Sequence, residues 1–115
     1  MSSAMQEPTF LILTALADRP LHGYGIITDV ARISDGRARL RAGTLYAALD
    51  RLQSDGLVAP DHEEVVEGRL RRYYRITRDG AAALSAEVDR LRRRAEVAAR
   101  RLAALRPPPA NASPV

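Results

Sequence analysis

The densest group of side chains suited to chemistry in this chain is a run of arginines. From Arg69 to Arg78 the sequence holds five arginines and no acid, which gives a charge of +5 over ten residues. Guanidinium groups bind phosphate through charge and paired hydrogen bonds, so this run predicts contact with a polyanion. The preceding segment Asp61–Glu67 holds four acids, and cross-strand ion pairs are the alternative use of the same arginines. Exposed ion pairs contribute only about 0–1 kcal/mol, so they can give way to phosphate.

The charge of the whole chain points in the same direction. Its 115 residues carry a formal net charge of +4, and all 18 basic residues are arginine. The sequence pI is near 10.3, and basic chains are biased towards nucleic acids and acidic surfaces. The absence of lysine is explained more simply by codon composition than by a functional need. The prediction therefore depends on where the arginines lie.

Residues suited to catalysis or metal binding are sparse. Cysteine is absent, which excludes disulfides, thiolate catalysis and cysteine-ligated zinc. The two histidines, His22 and His62, fall on different predicted elements, and two are too few for a multi-histidine metal site in one chain. Gly23-Tyr24-Gly25 lacks the third glycine and the preceding strand of a dinucleotide-binding loop. The sequence therefore predicts no catalytic residue, no cofactor and no metal site, and the chain is not expected to be an enzyme.

Length and composition are those of one ordinary globular domain. Hydrophobic residues make up 46% of the 115 residues and charged residues 28%, so a mostly disordered chain is not expected. The longest apolar run near the start, Phe10–Leu13, is far too short to cross a membrane, and no basic residue precedes Arg19 as a secretory signal requires. We therefore expect a cytoplasmic protein with no membrane partner.

Apolar residues at helical spacing predict four helices, and a later segment predicts one pair of strands. Thr9 and Thr77 are expected to cap the first and last helices, because a threonine hydroxyl can accept a hydrogen bond from a free amide of the first turn. Gly23 and Gly25 weaken the second helix by roughly 1 kcal/mol each, but they let another backbone come close. The predicted helices span residues 9–17, 22–33, 43–54 and 78–105, and the predicted strands span residues 57–66 and 69–76.

The two strands are predicted to form a hairpin that turns at Glu67-Gly68. This turn sets the cross-strand pairs Val65–Leu70, Glu64–Arg71 and Glu63–Arg72. Alternation along the strands then gives the hairpin a core face and an open face. The expected core face carries Leu57, Val65, Leu70, Tyr74 and Ile76, and the open face carries Arg69, Arg71, Tyr73 and Arg75.

Three helices followed by a two-stranded hairpin is the order of a winged helix-turn-helix, so the predicted fold is mainly α with a small β component. This domain is expected to cover residues 8–77. A helix fits the major groove of DNA and its leading residues reach base edges, so the third helix is the candidate reader helix and the hairpin is the candidate wing. The opening amides of the third helix can hold a phosphate. The predicted DNA-binding residues are Arg41, Gly43, Thr44, Tyr46, Arg69 and Arg71.

The fourth helix has the most regular pattern, a heptad seam of apolar residues spaced 4, 3, 4, 3, 4 and 3. A helix of about 28 residues is about 42 Å long, which is more than so small a core can cover. We therefore predict a homodimer held by a coiled-coil-like dimerisation helix over residues 78–106, followed by a disordered tail over residues 107–115. Packing of the seam on the chain's own helices is the alternative. The predicted interface residues are Leu84, Val88, Leu91, Ala95, Ala98, Leu102 and Leu105.

Four segments of the chain carry a resemblance to a known family: Leu21-His22-Gly23-Tyr24, Gly43–Leu52, Asp55-Gly56-Leu57 and Gly68–Thr77. In this order and at these separations they resemble the PadR family of bacterial transcriptional regulators, over about residues 8–105. The single long terminal helix resembles the short-chain branch of that family. The resemblance implies a winged-helix dimer that represses a nearby promoter from a palindromic operator in double-stranded DNA.

The resemblance also implies contacts and a ligand. Reader-helix contacts would fall at Thr44 and Tyr46, and wing contacts at Arg69 and Arg71. Many members of the family release DNA when they bind a small hydrophobic effector, which in short members often lies between the two chains against their first and last helices.

Several positions depart from the family's common pattern. Arg41-Ala42 stand where Ser-Pro is common, and Leu70 stands where proline is common. Asp50 stands where a basic residue is common, and because its charge would repel phosphate it is not a predicted contact. These differences bear on which operator is read rather than on the fold.

Two classes of function remain open from the residues alone. One is a dimeric, sequence-specific DNA-binding regulator, which we expect to be a repressor. The other is a winged-helix module that binds proteins and not DNA. Salt-sensitive binding to a duplex separates the two classes, because phosphate contacts release counterions.

Overall fold

The computed structural model describes residues 4–106, so the tail predicted for residues 107–115 lies outside the described residues. The architecture is the predicted fold class, a winged helix-turn-helix with a small antiparallel sheet and a long C-terminal helix. Along the chain the elements are α1 (Glu7–Asp18), β1 (Leu21–His22), α2 (Gly23–Ile33), α3 (Ala42–Ser54), β2 (Val58–Val66), β3 (Arg69–Ile76) and α4 (Arg78–Leu105).

The start of α1 differs from the sequence prediction. The helix begins at Glu7 rather than after a Thr9 cap, and Gln6 occupies the cap position with no side-chain hydrogen bond to the first turn. Pro8 suits the first turn because its fixed φ is helical and it has no amide to satisfy, and Glu7 is favoured at the positive end of the helix dipole. The Thr9 hydroxyl instead accepts a hydrogen bond from Arg51 Nη2 at 3.4 Å.

The core joins the first three helices to the base of the hairpin. Fully covered aliphatic side chains come from all three helices, and Val58 and Tyr74 close the core from the sheet. Burial of each large aliphatic side chain contributes about 1.5–3 kcal/mol. The core therefore fixes the orientation of α3 relative to the hairpin. Its fully buried large side chains are Ile12, Leu13, Leu16, Ile26, Val30, Leu45, Leu49 and Leu52.

The sheet contains a short strand that sequence periodicity did not predict. β1 has two residues and pairs antiparallel with β3, placing Leu21 opposite Tyr74 and His22 opposite Tyr73. The strand order is β1-β3-β2. Two residues are too few to show the alternation by which strands are recognised. This short strand connects the start of α2 directly to the wing.

The wing has the predicted register, with Val65–Leu70, Glu64–Arg71 and Glu63–Arg72 as cross-strand pairs. Glu67 and Gly68 both have positive φ, at 51° and 76°, as a two-residue type I′ hairpin turn requires. The register shifts between Pro60 and Glu63, so a bulge separates the base of the wing from its tip.

The predicted core face of the hairpin is wrong at the wing tip. Val65 is 72% exposed and Leu70 is 55% exposed, whereas Tyr74 and Ile76 at the base pack on the core. The strands have nine and eight residues, so they extend past the helices and their tip residues have no core to pack against. Two apolar side chains on the face that continues from the core are left in solvent.

α4 begins at the predicted Thr77 cap. The Thr77 hydroxyl accepts a hydrogen bond from the Gly80 amide at 3.0 Å and donates one to the Gly56 carbonyl at 2.6 Å. Gly80 lies so close to the Leu57 carbonyl that a Cβ atom would collide with it. The first turn of α4 is therefore fixed against the loop that opens the wing.

The apolar seam of α4 divides into a covered and an uncovered part. Leu84 and Val88 are half-buried against the chain's own domain, but every residue from position 91 to position 105 is exposed. Leu102 is 67% exposed and Leu105 is 79% exposed. Packing on the chain's own helices thus accounts for the start of the seam only. None of the described helices is long and apolar enough to span a membrane.

Candidate nucleic-acid interface

The first turn of α3 is presented to solvent by burial of the opposite side of the same helix. Leu45, Leu49 and Leu52 are buried, whereas residues 41–44 and Tyr46 are exposed. Arg41 occupies the cap position and makes no side-chain hydrogen bond to the first turn. Helix-start amides that no side chain caps are suited to bind an anion. The fold therefore brings the predicted residues Arg41, Gly43, Thr44 and Tyr46 to one exposed helix start.

Tyr46 is held by α2. Its ring lies against the backbone of Gly23, where a Cβ atom would collide with the Tyr46 hydroxyl and would lie 3.0 Å from Cζ of the ring. Gly23 therefore makes room for the side chain of Tyr46, whereas the sequence predicted that another backbone would approach at this position. Tyr46 remains 47% exposed, so a packed ring presents its outer edge to solvent.

A groove of about 510 Å³ lies between Tyr46 of α3 and the wing, and we name it the reader–wing groove. Tyr24, the second residue of α2, is 73% exposed and borders the groove. Neither Tyr24 nor His22 was a predicted site residue, because only the unpredicted strand β1 brings them to the wing. The groove is lined by His22, Gly23, Tyr24, Tyr46, Arg69, Leu70, Arg71 and Arg72.

The two predicted wing arginines have no ion-pair partner among residues 4–106, unlike their neighbours. Arg72 Nε lies 3.3 Å from Glu63 Oε2, and Arg75 Nε lies 3.8 Å from Asp61 Oδ1. Two acids of β2 thus engage Arg72 and Arg75. Arg69 and Arg71 keep their guanidinium groups available to an external anion.

Glu64 faces Arg71 across the hairpin but is engaged by other groups. Its Oε2 accepts a hydrogen bond from the Tyr73 hydroxyl at 3.0 Å, and its Oε1 lies 3.5 Å from His62 Nε2. The predicted Glu64–Arg71 neighbours are therefore correct in register, but they do not form an ion pair.

Both histidines of the chain lie against Tyr73. The His62 ring stacks on it with centroids 4.2 Å apart and planes at 13°, and the His22 ring is tilted at 5.2 Å and 54°. A hydrogen bond to Asp61 raises the pKa of His62. Burial, followed by the charge of Arg71, lowers the pKa of His22. These histidines join the wing to the start of α2, and the described residues hold no cluster of three or more His, Cys, Asp or Glu able to bind a metal.

Tyr74 supports the groove from below. It is 9% exposed, and burial raises the pKa of its phenol, with a further contribution from Tyr46. A buried neutral phenol beside α3 is a packing residue of the core. The lining of the groove thus includes two exposed tyrosines, Tyr24 and Tyr46, and the arginines Arg69 and Arg71, a set of groups that suits a phosphate backbone.

A helix-turn-helix with an adjoining β wing defines the winged helix-turn-helix class, and this chain has that architecture. A family model described as the transcriptional regulator PadR-like family matches residues 12–86. The chain therefore belongs to the PadR-like family. This is a family of transcriptional regulators and not of enzymes.

Two individual proteins are similar to this chain. The chain is 42% identical over 74 residues to transcriptional regulator Rv3488 of Mycobacterium tuberculosis, a match that covers 64% of this chain and 65% of that protein. It thus spans just under two thirds of that relative's length. A second match, 31% identical over 75 residues, is to uncharacterized protein X of Lysinibacillus sphaericus and covers 65% of this chain and 69% of that protein.

Two solved structures share the fold. A PadR family transcription regulator from Clostridium difficile is 27% identical, with a TM-score of 0.64 over 82% of this chain and 96% of that chain. Bacillus subtilis PadR in complex with operator DNA has a TM-score of 0.64 over 72% of this chain and 47% of that chain. Its identity is 18%, so it supports the fold alone.

Proposed function

We propose that this protein is a homodimeric, sequence-specific DNA-binding repressor that binds a palindromic operator near a promoter in the bacterial cytoplasm. The observation that carries the proposal is the pair Arg69 and Arg71. Both are free of ion pairs among the described residues, and both line a groove that Tyr46 of α3 also lines. Family membership supports the same function, and Bacillus subtilis PadR, which shares the fold, has been solved in complex with operator DNA.

The reader helix supplies two kinds of contact in this proposal. The exposed turn at Gly43 and Thr44 offers backbone amides and a hydroxyl to phosphate, and Arg41 adds a positive charge at the same end. Tyr46 lies one residue beyond Leu45, with its hydroxyl edge at the groove. Phosphate contacts set the register of the helix in the major groove, and its exposed side chains read the bases.

The dimer sets the distance between two such readers. The exposed seam of α4 requires a cover, and a second copy of α4 provides one of matching pattern. A pair of reader helices must be separated by about 34 Å, one turn of duplex, to reach two half-sites. The proposed interface consists of Leu84, Val88, Leu91, Ala95, Ala98, Leu102 and Leu105.

Release by a small hydrophobic effector follows if the effector binds one arrangement of the two chains better than the other. A groove of about 450 Å³ lies where α1 meets α4, bordered by Phe10 and Leu11 on one side and Leu91 on the other. Because Leu91 belongs to the seam, a molecule in this groove would change the angle between the chains. One reader helix would then leave its half-site.

Titration of labelled genomic duplex at several salt concentrations tests the proposal. Wild-type protein should bind with a steep salt dependence, and the double variant Arg69→Ala/Arg71→Ala should weaken binding to all sequences. The slope of log affinity against log salt should fall by about 0.9 for each phosphate that the variant no longer neutralises. The matched control Arg93→Ala/Arg100→Ala removes two exposed arginines from α4 and should leave the slope unchanged.

Two results would count against it. An unchanged slope in the wing variant would remove Arg69 and Arg71 from the interface. If the wild-type protein binds no duplex in a salt-sensitive way, the chain is a protein-interaction module instead.

A further inference from the structure

Asp50 is an exposed acid on the side of α3 that points away from the core. The core side of the helix carries Leu45, Leu49 and Leu52, and the opposite side carries exposed residues spaced by 4, 3 and 4 positions, as 3.6 residues per turn require. We name these residues the outward stripe, which consists of Gly43, Ala47, Asp50 and Ser54.

We propose that Asp50 recognises a cytosine in each half-site of the operator, by accepting a hydrogen bond from the cytosine amine N4 in the major groove. This inference rests on the proposed function and names one base that the reader helix selects. It assigns a base contact to a residue whose charge rules out a phosphate contact.

The Asp50 carboxylate has no hydrogen bond and no ion pair among residues 4–106. Asp50 lines a second groove, of about 350 Å³, between α3 and the base of the wing. Both basic side chains that line this groove are held by other acids, since Arg72 pairs with Glu63 and His62 pairs with Asp61. The carboxylate is therefore available to a hydrogen-bond donor outside the chain.

The helix itself gains nothing from an aspartate at this position. Aspartate is a weak helix former. Asp50 lies in the second half of α3, which spans Ala42–Ser54, and the negative end of the helix dipole disfavours an acid there. The caps of α3 are Arg41 and Asp55, so Asp50 caps neither end. Neither packing nor capping in the described domain accounts for this residue.

The small residues of the outward stripe allow a short side chain to reach the base edges. Gly43 has no side chain, and no atom lies within 4 Å of a Cβ at that position. Ala47 adds only a methyl group, so the backbone of α3 can approach the floor of a groove closely. From Gly43 to Asp50 the helix rises by about 10 Å, and both ends of this stretch can lie in one major groove, which is about 12 Å wide.

A carboxylate at this position selects cytosine because an ionised carboxylate only accepts hydrogen bonds. In the major groove cytosine presents the amine N4, whereas guanine presents the acceptors N7 and O6, and thymine presents the acceptor O4 and a methyl group. Adenine presents an amine beside the acceptor N7, whose lone pair opposes a negative charge. The charge of Asp50 thus favours one base and acts against sequences that offer no amine at that place.

The test measures affinity for a duplex in which each base pair is replaced in turn, starting from a duplex that the wild-type protein selects from a randomised library. For the wild type, replacing one C·G pair in each half-site by T·A should lower the affinity by at least about fivefold. Asp50→Ala should lose this penalty and keep the penalties at the other positions. Asp55→Ala removes the same charge from the end of the same helix, and as the matched control it should keep every penalty.

Asp50→Asn supplies a second readout, a change of base preference. An amide has both a donor and an acceptor, which pair with N7 and N6 of adenine, so this variant should shift the preference at that pair from cytosine towards adenine. The salt slope of both Asp50 variants should equal that of the wild type, because Asp50 neutralises no phosphate. Their melting temperatures should be no lower than that of the wild type, since the carboxylate has no partner among the described residues.

An Asp50→Ala protein that keeps every base-pair penalty would overturn the inference while leaving the proposed function standing. A lost penalty that falls on an A·T pair alone would also overturn it, and so would an undiminished preference of Asp50→Asn for cytosine over adenine. If the wild-type protein binds no duplex in a salt-sensitive way, the proposed function fails first, and the inference falls with it.

Discussion

The phenol of Tyr46 rests on the backbone of Gly23, with no room between them for a Cβ atom. This contact joins the first residue of α2 to the exposed turn of α3, so the position of a proposed DNA contact depends on a glycine in another helix. The contact also explains why a glycine that is unfavourable in a helix by propensity is tolerated at this point.

Gly23→Ala should lower the free energy of unfolding by about 1–3 kcal/mol, because the new methyl group overpacks against the Tyr46 ring. The same substitution in a Tyr46→Ala background should cost far less, since the obstructing ring is gone. Urea unfolding of the four proteins measures the coupling. Gly43→Ala is the control, because no atom lies within 4 Å of a Cβ at Gly43. Equal costs of Gly23→Ala in both backgrounds would disprove the contact.

The pKa values of the two histidines beside Tyr73 should be displaced in opposite directions from the ordinary value of about 6.5. The pKa of His62 is raised by its hydrogen bond to Asp61. The stability that His62 contributes is therefore complete below pH about 6.5 and is lost as pH rises through its folded pKa. The pKa of His22 is lowered by burial, so its contribution is complete above pH about 6.5 and is lost as pH falls through its folded pKa.

Histidine ring resonances followed by NMR across a pH range of about 4–9 measure both values. Asp61→Asn should bring the pKa of His62 down towards its ordinary value and leave that of His22 in place. A His62 pKa that does not respond to Asp61→Asn would show that the Asp61 hydrogen bond is not its cause.

Thr77→Ala should destabilise the chain by about 1–2 kcal/mol, because a helix cap is removed. Thr77 makes two hydrogen bonds with its hydroxyl, one to the Gly80 amide and one to the Gly56 carbonyl. Thermal or urea unfolding measures the change. Thr9→Ala is the matched control and should change stability by less than about 0.5 kcal/mol, because Thr9 caps no helix. Equal effects of the two substitutions would refute the assigned cap.

Leu91→Asp should convert the proposed dimer into monomers. Leu91 is 40% exposed in the single chain and lies in the middle of the α4 seam, where an acid would be desolvated on association. Sedimentation equilibrium measures the molar mass. Val97→Asp places the same charge on α4 away from the seam and should leave association intact. A dimer that persists in Leu91→Asp would place the interface elsewhere.

The register of the wing could be predicted from the sequence because a two-residue turn at Glu67-Gly68 admits only one pairing. The cap of α4 at Thr77 was predictable for a similar reason, since a hydroxyl before a long helical pattern has a defined partner. In both cases the information is local. The α1 start was predicted wrongly because Pro8 and Glu7 together favour an earlier first turn than a threonine cap would give.

Long-range information was harder to obtain. A two-residue strand such as β1 shows no alternation, and without it neither His22 nor Tyr24 could be placed beside the wing. Alternation also assigned Val65 and Leu70 to the core face, which is correct in direction but not in burial, because sequence periodicity does not show where the helices end. The six proposed DNA contacts remain predictions; Tyr46, Arg69 and Arg71 line one groove, and Arg41, Gly43 and Thr44 lie at the exposed start of α3.

The Thr77 hydrogen bonds and the contact of Gly80 with the Leu57 carbonyl have a mechanical consequence. α4 extends for 28 residues from this fixed first turn, so the direction of the whole helix is set where it meets the root of the hairpin. A change in the direction of α4 relative to the wing would therefore have to disturb the Thr77 hydrogen bonds or the close approach of Gly80 to Leu57.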